Sequence, residues 1–555
     1  MTTGLAGFIA SGDSDGGAPR DWDDVVAAVT AALGQAFTVV PDRTAPTAAE
    51  RRTWFDTFDW RLFKAGLQLD YVPGRRGSEL RLTLAPGSEV LAQPVTGWQP
   101  SRPHLAGDIP PGAIADRVGK LIAPRALLPV ATVTESAVVY RLLNSDAKTV
   151  ARLVIERPVL SAGRQHRPGG RSGPVGRGNA VAPRFTIQPV RGYQGQERRA
   201  AGVLEETAGI IPASGTLLED ALAAMGRKPA DYSSKVDAPI TATMPASQAV
   251  ARILLTLLDT MEVNVPGVLK DTDTEFLHDF RVAVRRTRAA LKLFGNELGA
   301  ATAMAETAAA EFKWLGDLTT PTRDLDVHLL GFDDTAAGLR AAKPDDLEPF
   351  RSYLRERRAR ELRALARGLR SPRYLDLVQR WRDTLTPISE KGGRGRSGSI
   401  RSREISAATL AAERTRRAFT KVAKRGAAIT PDSPHESLHD LRKRCKELRY
   451  ALEFFAPVHD PATYAAVVGD LKKLQDCLGD FQDSEVQIAE IRSLGTAMQT
   501  AGEAPAVTLL AMGEVTAGLV ETQAAARAGF ERRFAAFAGI DGQRRMSVLL
   551  RGGIG

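Results

Sequence analysis

The sequence predicts a multidomain α+β protein, in which an N-terminal antiparallel β-sheet or barrel precedes a C-terminal all-α helical bundle built by internal duplication. Three observations support this fold class. From about residue 38 to 210, apolar and polar residues alternate between turn residues, which is typical of hairpins. From about 245 to 535, the chain is rich in Ala, Leu, Arg and Glu with a helical apolar period. Within this second region, one amphipathic segment occurs twice.

Length and composition limit the classes of protein to which this chain can belong. The 555 residues correspond to roughly three or four domains by length alone. A charged fraction of 25% and a hydrophobic fraction of 43% are those of a folded chain, which excludes wholesale disorder. The net charge of +10 and the pI near 9.6 indicate an anionic partner, which is a nucleic acid, an acidic membrane surface or a smaller polyanion.

The sequence of the N-terminal half predicts a β domain over residues 21–215. The preceding segment, residues 1–20, is rich in Gly, Ser and Asp and is predicted to be disordered. The strands of the β domain are predicted in "AGLQLDYVPGRRGSELRLTLAP" (65–86), "AVVYRLLNSDAKTVARLVIERPVL" (137–160) and "RFTIQPVRGY" (184–193). Residues 161–183 are rich in Gly, Pro and Arg and predict a flexible basic loop. We interpret residues 216–244 as a linker to the helical half.

The helical half predicts two repeats, at 245–390 and 405–538. Segments such as "ASQAVARILLTLLDTM" (246–261) place apolar residues at helical spacing. A Gly/Ser/Arg-rich stretch, interpreted as a linker over 391–404, separates the repeats. Residues 539–555 are interpreted as a tail.

The repeats are recognised from two aligned segments, "HDFRVAVRRTRAALKLF" (278–294) and "HDLRKRCKELRYALEFF" (439–455), which are identical at seven of seventeen positions. A weaker match follows each copy, where "LGDLTTPTRDLDVHL" (315–329) aligns with "LQDCLGDFQDSEVQI" (474–488). An internal duplication explains both matches. Each aligned helix has an apolar seam that predicts its core-facing side: Phe280, Val284, Thr287, Leu291 and Phe294 in the first copy, and Leu441, Cys445, Leu448, Leu452 and Phe455 in the second.

A basic stripe runs beside each seam. It consists of His278, Arg281, Arg285, Arg288 and Lys292 in the first copy, and of His439, Arg442, Lys446 and Arg449 in the second. Like charges one helical turn apart repel each other, and a phosphate-rich ligand would offset this repulsion through charge-assisted hydrogen bonds. The alternative is a solvated basic face, partly neutralised by acids such as Glu447 and Glu453. Retention of the stripe in both copies favours a function.

For some further charged segments, the sequence leaves open whether they contribute to a binding surface or have only a structural or solvated role. The segment "RSYLRERRARELRALARGLRSPR" (351–373) has nine arginines against two glutamates, and it either widens the basic surface or forms an exposed helix with Glu–Arg pairs. Lys472 and Lys473 carry the same ambiguity. In "TRDLDVHL" (322–329), Asp324 and Asp326 either orient the basic stripe or cap a helix, and we favour the structural role.

At these residues the chain resembles the CHAD family, the conserved-histidine α-helical domains. The paired HDxR helices and the "RDLDV" segment carry the resemblance, which covers roughly residues 245–535. The resemblance implies two four-helix units related by duplication, binding of inorganic polyphosphate along a basic central channel, and association with polyphosphate granules. It implies no catalytic residue, no metal and no cofactor. The expected polyphosphate-binding residues are His278, Arg281, Arg285, Arg286, Arg288, Lys292, Arg323, His439, Arg442, Lys443, Lys446, Arg449, Lys472 and Lys473.

The N-terminal half resembles a CYTH, or triphosphate tunnel, domain. The best local match is "TWFDTFDWRLFKAGLQLDYV" (53–72), followed by "ELRLTL" (79–84) and "ARLVIERPVL" (151–160). The enzymes of this family open with a Glu-x-Glu-x-Lys strand that holds a divalent metal, whereas this chain has "QAFTVVPDR" (35–43). Glu79 and Glu156 are isolated carboxylates. We therefore expect a degenerate tunnel-like domain without catalysis, whose basic interior residues Arg81, Arg141 and Arg152 can still accept phosphate.

Three other functions compete with polyphosphate binding. A metal-dependent phosphohydrolase of the HD type needs further His and Asp ligands, but arginines follow the two HD dipeptides on the same helix face. A sequence-independent nucleic-acid binder would also use the basic stripe, although no aromatic stacking motif accompanies it. A triphosphatase would act through the N-terminal domain. We rank all three below polyphosphate binding.

The expected location is the cytoplasm, with association to polyphosphate granules. Cys445 and Cys477 lie in helical segments and are expected to be small buried residues, which suits a reducing compartment. The N-terminus has no basic segment followed by a long apolar core, so no signal peptide is predicted. No apolar stretch approaches the roughly 20 residues that span a bilayer, so no membrane partner is expected.

Overall fold

The computed structural model describes residues 7–10, 22–45, 49–74, 77–84, 90–161, 181–207, 210–390 and 405–552. The chain divides into two compact units, Met1–Ser233 and Ser234–Gly555. Each unit is described by itself below. Within the described ranges, no helix is both long and apolar enough to span a membrane.

The first unit is built on an antiparallel β-sheet, as predicted. Its described strands are β1 (Gly7–Ala10), β2 (Thr38–Pro41), β3 (Glu50–Thr57), β4 (Gln68–Val72), β5 (Ser78–Thr83), β6 (Val90–Val95), β7 (Leu127–Leu143), β8 (Thr149–Leu160), β9 (Arg184–Pro189) and β10 (Ile210–Pro212). The strand order is β10-β1-β9-β8-β7-β3-β4-β5-β6, and β2 pairs with the C-terminal part of β7. The two predicted hairpins are β4–β5 and β7–β8.

Strand alternation separates an apolar face of the sheet from a charged one. On β4, Leu69 and Tyr71 are buried in an apolar cluster with Leu80 and Leu82 of β5. Asp70 lies between them in sequence, so its side chain points to the opposite face. The helices of this unit are α1 (Trp22–Gly34), α2 (Arg61–Lys64), α3 (Ala113–Ile122), α4 (Gln194–Glu205) and α5 (Leu217–Ala224), with a 3-10 turn at Ala106–Asp108.

Two N-terminal segments differ from the sequence prediction. Within the segment predicted to be disordered, Gly7–Ala10 forms β1 between β9 and β10, because Phe8 packs into the apolar core of the sheet. Within the predicted linker at 216–244, α5 is an ordered helix whose Leu218 and Leu222 are buried. A capping box between Thr216 and Glu219 starts that helix. Most of the predicted basic loop, 162–180, lies outside the described residues.

The second unit is the predicted all-α bundle. The helices of the first repeat are α6 (Ala246–Leu269), α7 (Thr274–Phe294), α8 (Thr302–Leu330), α9 (Phe332–Ala337), α10 (Glu348–Leu369) and α11 (Pro372–Glu390). Those of the second are α12 (Ala407–Ala427), α13 (His435–Phe454), α14 (Pro461–Ala501), α15 (Ala506–Ala538) and α16 (Ile540–Gly552). Short 3-10 turns occupy Gly295–Ala301, Pro344–Leu347 and Ala456–Val458.

The predicted apolar seams lie in the core of this bundle. All ten seam residues of the duplicated helices α7 and α13 are buried. Cys445 is buried as expected, whereas Cys477 is half-buried and its Sγ donates to the carbonyl oxygen of Ala526 at 3.1 Å. The apolar period therefore fixes which side of each duplicated helix faces the core.

The predicted tail at 539–555 is instead largely a helix. Met546, Leu549 and Leu550 of α16 recur at helical spacing and are buried against α14 and α15. This spacing gives the C-terminal segment an apolar face, which explains why it folds onto the bundle. The predicted linker at 391–404 and residues 553–555 lie outside the described residues.

Candidate anion-binding cleft

The two duplicated helices pack against each other at their C-terminal ends. The side chain of Asp273 caps the start of α7, where it accepts hydrogen bonds from the backbone N–H groups of Glu275 (2.9 Å) and Phe276 (3.2 Å). At the other end, the rings of Phe294 and Phe455 meet edge to face with centroids 5.3 Å apart. These two phenylalanines are aligned positions of the repeat. Contact between equivalent positions is expected where two copies meet about a local two-fold axis.

Cross-copy ion pairs hold the helices together beyond the aromatic contact. Arg286 of α7 donates from Nη2 to Glu453 Oε2 of α13 at 3.1 Å, and Lys292 contacts Glu447. Glu453 also accepts from Nε of Arg449 at 2.5 Å, so one carboxylate pairs with an arginine from each copy. These pairs fit the interpretation that Glu447 and Glu453 neutralise part of the basic surface.

A cleft of about 460 Å³ opens between α7, α13 and α14. Six of the predicted residues line it, and they come from both copies: His278, Arg285, Arg286, Arg442, Lys446 and Arg449. The other lining residues are Ser234, Asp279, Val282, Tyr450, Gln475, Asp476, Gly479, Asp480 and Asp483. Basic side chains of α7 and α13, which are far apart in sequence, therefore line the same cleft.

The other predicted residues do not line this cleft: Arg281, Arg288, Lys292, Arg323, His439, Lys443, Lys472 and Lys473. Arg281 turns towards α8, where its Nη1 donates to the hydroxyls of Thr319 (3.0 Å) and Thr320 (2.7 Å). Arg323 donates to the carbonyl oxygen of Thr274 at 3.3 Å. Arg288, Lys443, Lys472 and Lys473 are exposed elsewhere on the helices.

The two HD dipeptides occupy different surroundings. Asp279 is 5% exposed and lines the cleft, whereas Asp440 is a half-buried residue that pairs with Arg425 at 3.0 Å. Nδ1 of His439 is hydrogen-bonded to the side-chain oxygen of Gln482. Across the described part of the chain, no group of three or more His, Cys, Asp or Glu side chains is arranged to hold a metal ion.

Sequence reasoning missed the acidic wall of the cleft. Asp476, Asp480 and Asp483 recur every three or four residues on α14, so they share one face of that helix. Asp483 lies 2.8 Å from Nη2 of Arg442. Burial and the charges of Asp476 and Asp483 raise the pKa of Asp480. The aspartate spacing indicates that these residues share one face of α14, but it does not indicate which helix that face lies beside.

On the basic side of the cleft, Lys446 is half-buried beside other cations. Burial, together with the charges of Arg442 and Arg285, lowers the pKa of the Lys446 ammonium group to about 8. Arg285 belongs to the first copy of the repeat and Arg442 to the second. A bound anion would relieve this repulsion, because it adds the opposite charge beside all three cations.

The charged face of the first-unit sheet is internally paired. Nε of Arg52 lies 3.5 Å from carboxylate oxygens of both Asp70 and Glu135. Nε of Arg81, a predicted phosphate acceptor, lies 2.5 Å from Glu79. Burial raises the pKa of Asp70 to about 6. These arginines already have carboxylate partners within the sheet.

The other residues singled out in this unit have similar surroundings. Arg152 lies 3.6 Å from Asp42, and burial raises the pKa of Glu156. The segment aligned with the metal-binding strand of tunnel enzymes forms β2, Thr38–Pro41, which carries no carboxylate.

Comparisons with known proteins concern the helical half. The CHAD domain family model matches residues 252–492. The crystal structure of the CHAD domain from the plant Ricinus communis is 25% identical, with a TM-score of 0.46, and the alignment covers 56% of this chain and 96% of that one. PptA from Streptomyces chartreusis is 16% identical, with a TM-score of 0.39 and coverage of 52% and 99%. No curated protein matches the chain significantly. The family match, over the region that carries the duplicated HD helices, identifies a CHAD domain in the helical half of this chain.

Proposed function

We propose that the helical unit binds inorganic polyphosphate in the cleft between α7, α13 and α14. The observation that carries this proposal is that cations of both repeats, among them Arg285 and Arg442, line one cleft. The CHAD family is associated with polyphosphate, which supports the choice of this polyanion. The proposal requires no catalytic residue, metal or cofactor.

The acidic wall determines what kind of anion can compete for the arginines. In the free cleft, Asp483 is the anionic partner of Arg442. A ligand must displace or share this contact, and it must approach Asp476 and Asp480 on the same wall. A chain with a charge on every phosphate supplies enough negative charge to do so, and its oxygens accept the paired N–H groups of a guanidinium. A weakly charged ligand would be excluded.

A polyphosphate-binding cleft also has a consequence for location. Because the protein would bind wherever the polymer accumulates, we extend the proposal to association with polyphosphate granules. The high positive charge of the chain, +10, favours this association over a neutral surface.

The test uses one arginine from each repeat. We expect the double variant Arg285→Gln/Arg442→Gln to bind tripolyphosphate about thirtyfold or more weakly than the unmodified protein, because two charge-assisted hydrogen-bonding groups are lost. Isothermal titration calorimetry measures this affinity, and thermal unfolding verifies that the variant is folded. The matched control is Arg532→Gln/Arg544→Gln, which removes two exposed arginines on α15 and α16. Equal losses in both variants, or no loss in the cleft variant, would refute the assignment.

A competition experiment separates the polyphosphate proposal from nucleic-acid binding. Long-chain polyphosphate is expected to displace single-stranded DNA from the protein at equal phosphate concentration, because the cleft offers cations without exposed stacking residues. Displacement of polyphosphate by DNA would instead favour the nucleic-acid function.

A further inference from the structure

The outward face of α10 carries a row of arginines that the cleft does not use. Arg355, Arg360, Arg363 and Arg367 are exposed on the helix, and Arg370 follows at its C-terminal end. Because each residue advances about 100° around the helix axis, the five residues fall within an arc of about 140° and share one side. At 1.5 Å per residue the row is about 22 Å long. Glu356 is the exposed acid within it.

The inward arginines of the same helix behave differently. Arg358 pairs with Asp271 at 2.7 Å and with Asp326, which is buried. Arg351 pairs with Asp333 and lies 4.2 Å above the ring of Phe332. These two side chains attach α10 to its surroundings.

The outward arginines have no comparable partner. Among the described residues, none of the five has a carboxylate within ion-pair distance or a side-chain hydrogen bond, although Glu356 is one turn from Arg360. Arginines three or four residues apart on a helix repel each other. A simple solvated face would be served equally by lysine, whereas the planar guanidinium matches phosphate oxygens in pairs. Glu356 is therefore the one exposed acid in this described stretch, against five exposed arginines, and the row has the chemistry of a phosphate contact.

We propose that the arginine row of α10 is a second phosphate-binding surface, which contacts the part of a long polyphosphate chain that extends beyond the cleft. This inference rests on the proposed function. The cleft, at about 460 Å³, encloses only a short stretch of polymer, so the rest of a long chain is available to another surface. Two contacts on one polymer raise the apparent affinity through effective concentration, without any change in the cleft.

The row favours a bare phosphate chain over a nucleic acid. Its members are interspersed with small residues such as Ser352 and Ala359, while Tyr353 packs into an apolar cluster. Recognition of single-stranded nucleic acid uses exposed aromatic rings that stack on bases, and the exposed residues of this row include no aromatic ring.

The test compares a short and a long ligand. The variant Arg360→Gln/Arg363→Gln/Arg367→Gln is expected to bind long-chain polyphosphate about tenfold more weakly, with a shallower salt dependence, because fewer counterions are released. Its affinity for tripolyphosphate is expected to be unchanged, since that ligand fits within the cleft. The matched control, Arg532→Gln/Arg533→Gln/Arg544→Gln, removes the same charge from α15 and α16 and is expected to bind both ligands normally.

Each other outcome overturns the inference. An unchanged affinity of the α10 variant for long chains, or an equal loss in the control, would mean that the row is only a solvated surface. A loss of double-stranded DNA affinity with normal polyphosphate affinity would assign the row to a nucleic acid. Failure of the proposed function is visible separately, because the unmodified protein would then bind tripolyphosphate no better than the Arg285→Gln/Arg442→Gln variant does.

Discussion

At the scale of single residues, equivalent positions of the duplication have taken different roles. Arg442 faces the cleft, whereas its counterpart Arg281 donates to two threonine hydroxyls of α8. Burial lowers the pKa of the Arg281 guanidinium, although it stays charged. We therefore expect replacement of Arg281 to affect stability more than ligand binding. Helical spacing predicts the side of the helix on which a residue lies, but not which neighbour its long side chain reaches.

Because of Lys446, the affinity of the cleft for a polyanion is expected to fall at high pH. The pKa of Lys446 is about 8 in the free protein, and a bound polyanion raises that pKa because it stabilises the charged ammonium. The contribution of Lys446 to binding is therefore complete below about pH 8. It is lost as the pH rises through the raised pKa of the complex.

The expected result is a fall in polyphosphate affinity of up to about tenfold per pH unit above pH 8, as one proton must be taken up on binding. Titration calorimetry over this range measures the slope. In the variant Lys446→Arg the charge persists, so the affinity should be nearly independent of pH there. A wild-type profile as flat as that of Lys446→Arg would show that Lys446 does not face the bound anion.

At the scale of helices and strands, periodicity predicted most elements, and their ends were harder to predict. The seams of α7 and α13 are buried as their spacing indicates, from Phe280 to Phe294 in the first copy. Segments near Gly-rich stretches differ from the prediction: the predicted tail contains α16, and the predicted linker contains α5. Both are short helices, and their apolar faces can be recognised as core-facing only when the surface that they pack against is known. A single sequence does not specify that surface.

The same limit applies to the cleft. The basic stripes were recognisable because they occur twice, and six of their residues and neighbours meet in one space. The acidic wall on α14 was not recognisable as part of a site, since Asp476, Asp480 and Asp483 become cleft residues only through the packing of α14 beside α13. Residues contributed by a third helix depend on tertiary structure.

The stability contribution of α16 can be measured at two adjacent residues. Leu549 is 2% exposed in the apolar cluster of the second repeat, whereas Val548 is 53% exposed. The substitution Leu549→Ala is expected to lower the free energy of unfolding by about 2–5 kcal/mol, because it removes buried methyl groups and leaves a cavity. Val548→Ala should change it by less than about 0.5 kcal/mol. Chemical denaturation compares the two, and equal effects would contradict the packing of α16.

At the scale of the whole molecule, the chain joins a sheet unit in which several arginines are paired with carboxylates to a helical unit with arginines available on its surface. In the first unit, Arg52 and Arg81 have carboxylate partners within the sheet. In the second, Arg285 and Lys446 face the cleft with their charges in repulsion. We therefore expect the free energy of polyanion binding to come from the helical unit, within the region that matches the CHAD family.

Duplication supplies the geometry of this unit. One basic helix offers a single line of cations, while two copies meeting at Phe294 and Phe455 place cations on more than one side of a cleft. A flexible chain of phosphates can then be contacted from both copies at once. The central claim is that one ligand bridges the two repeats.

The most direct measurement is a crystal structure of the full-length protein with tripolyphosphate. We predict phosphate oxygens within hydrogen-bonding distance of Arg285 from the first repeat and Arg442 from the second, in the same bound molecule, with Asp483 turned away from Arg442. A ligand that contacts only one repeat, or that binds outside the space between α7, α13 and α14, would contradict the account.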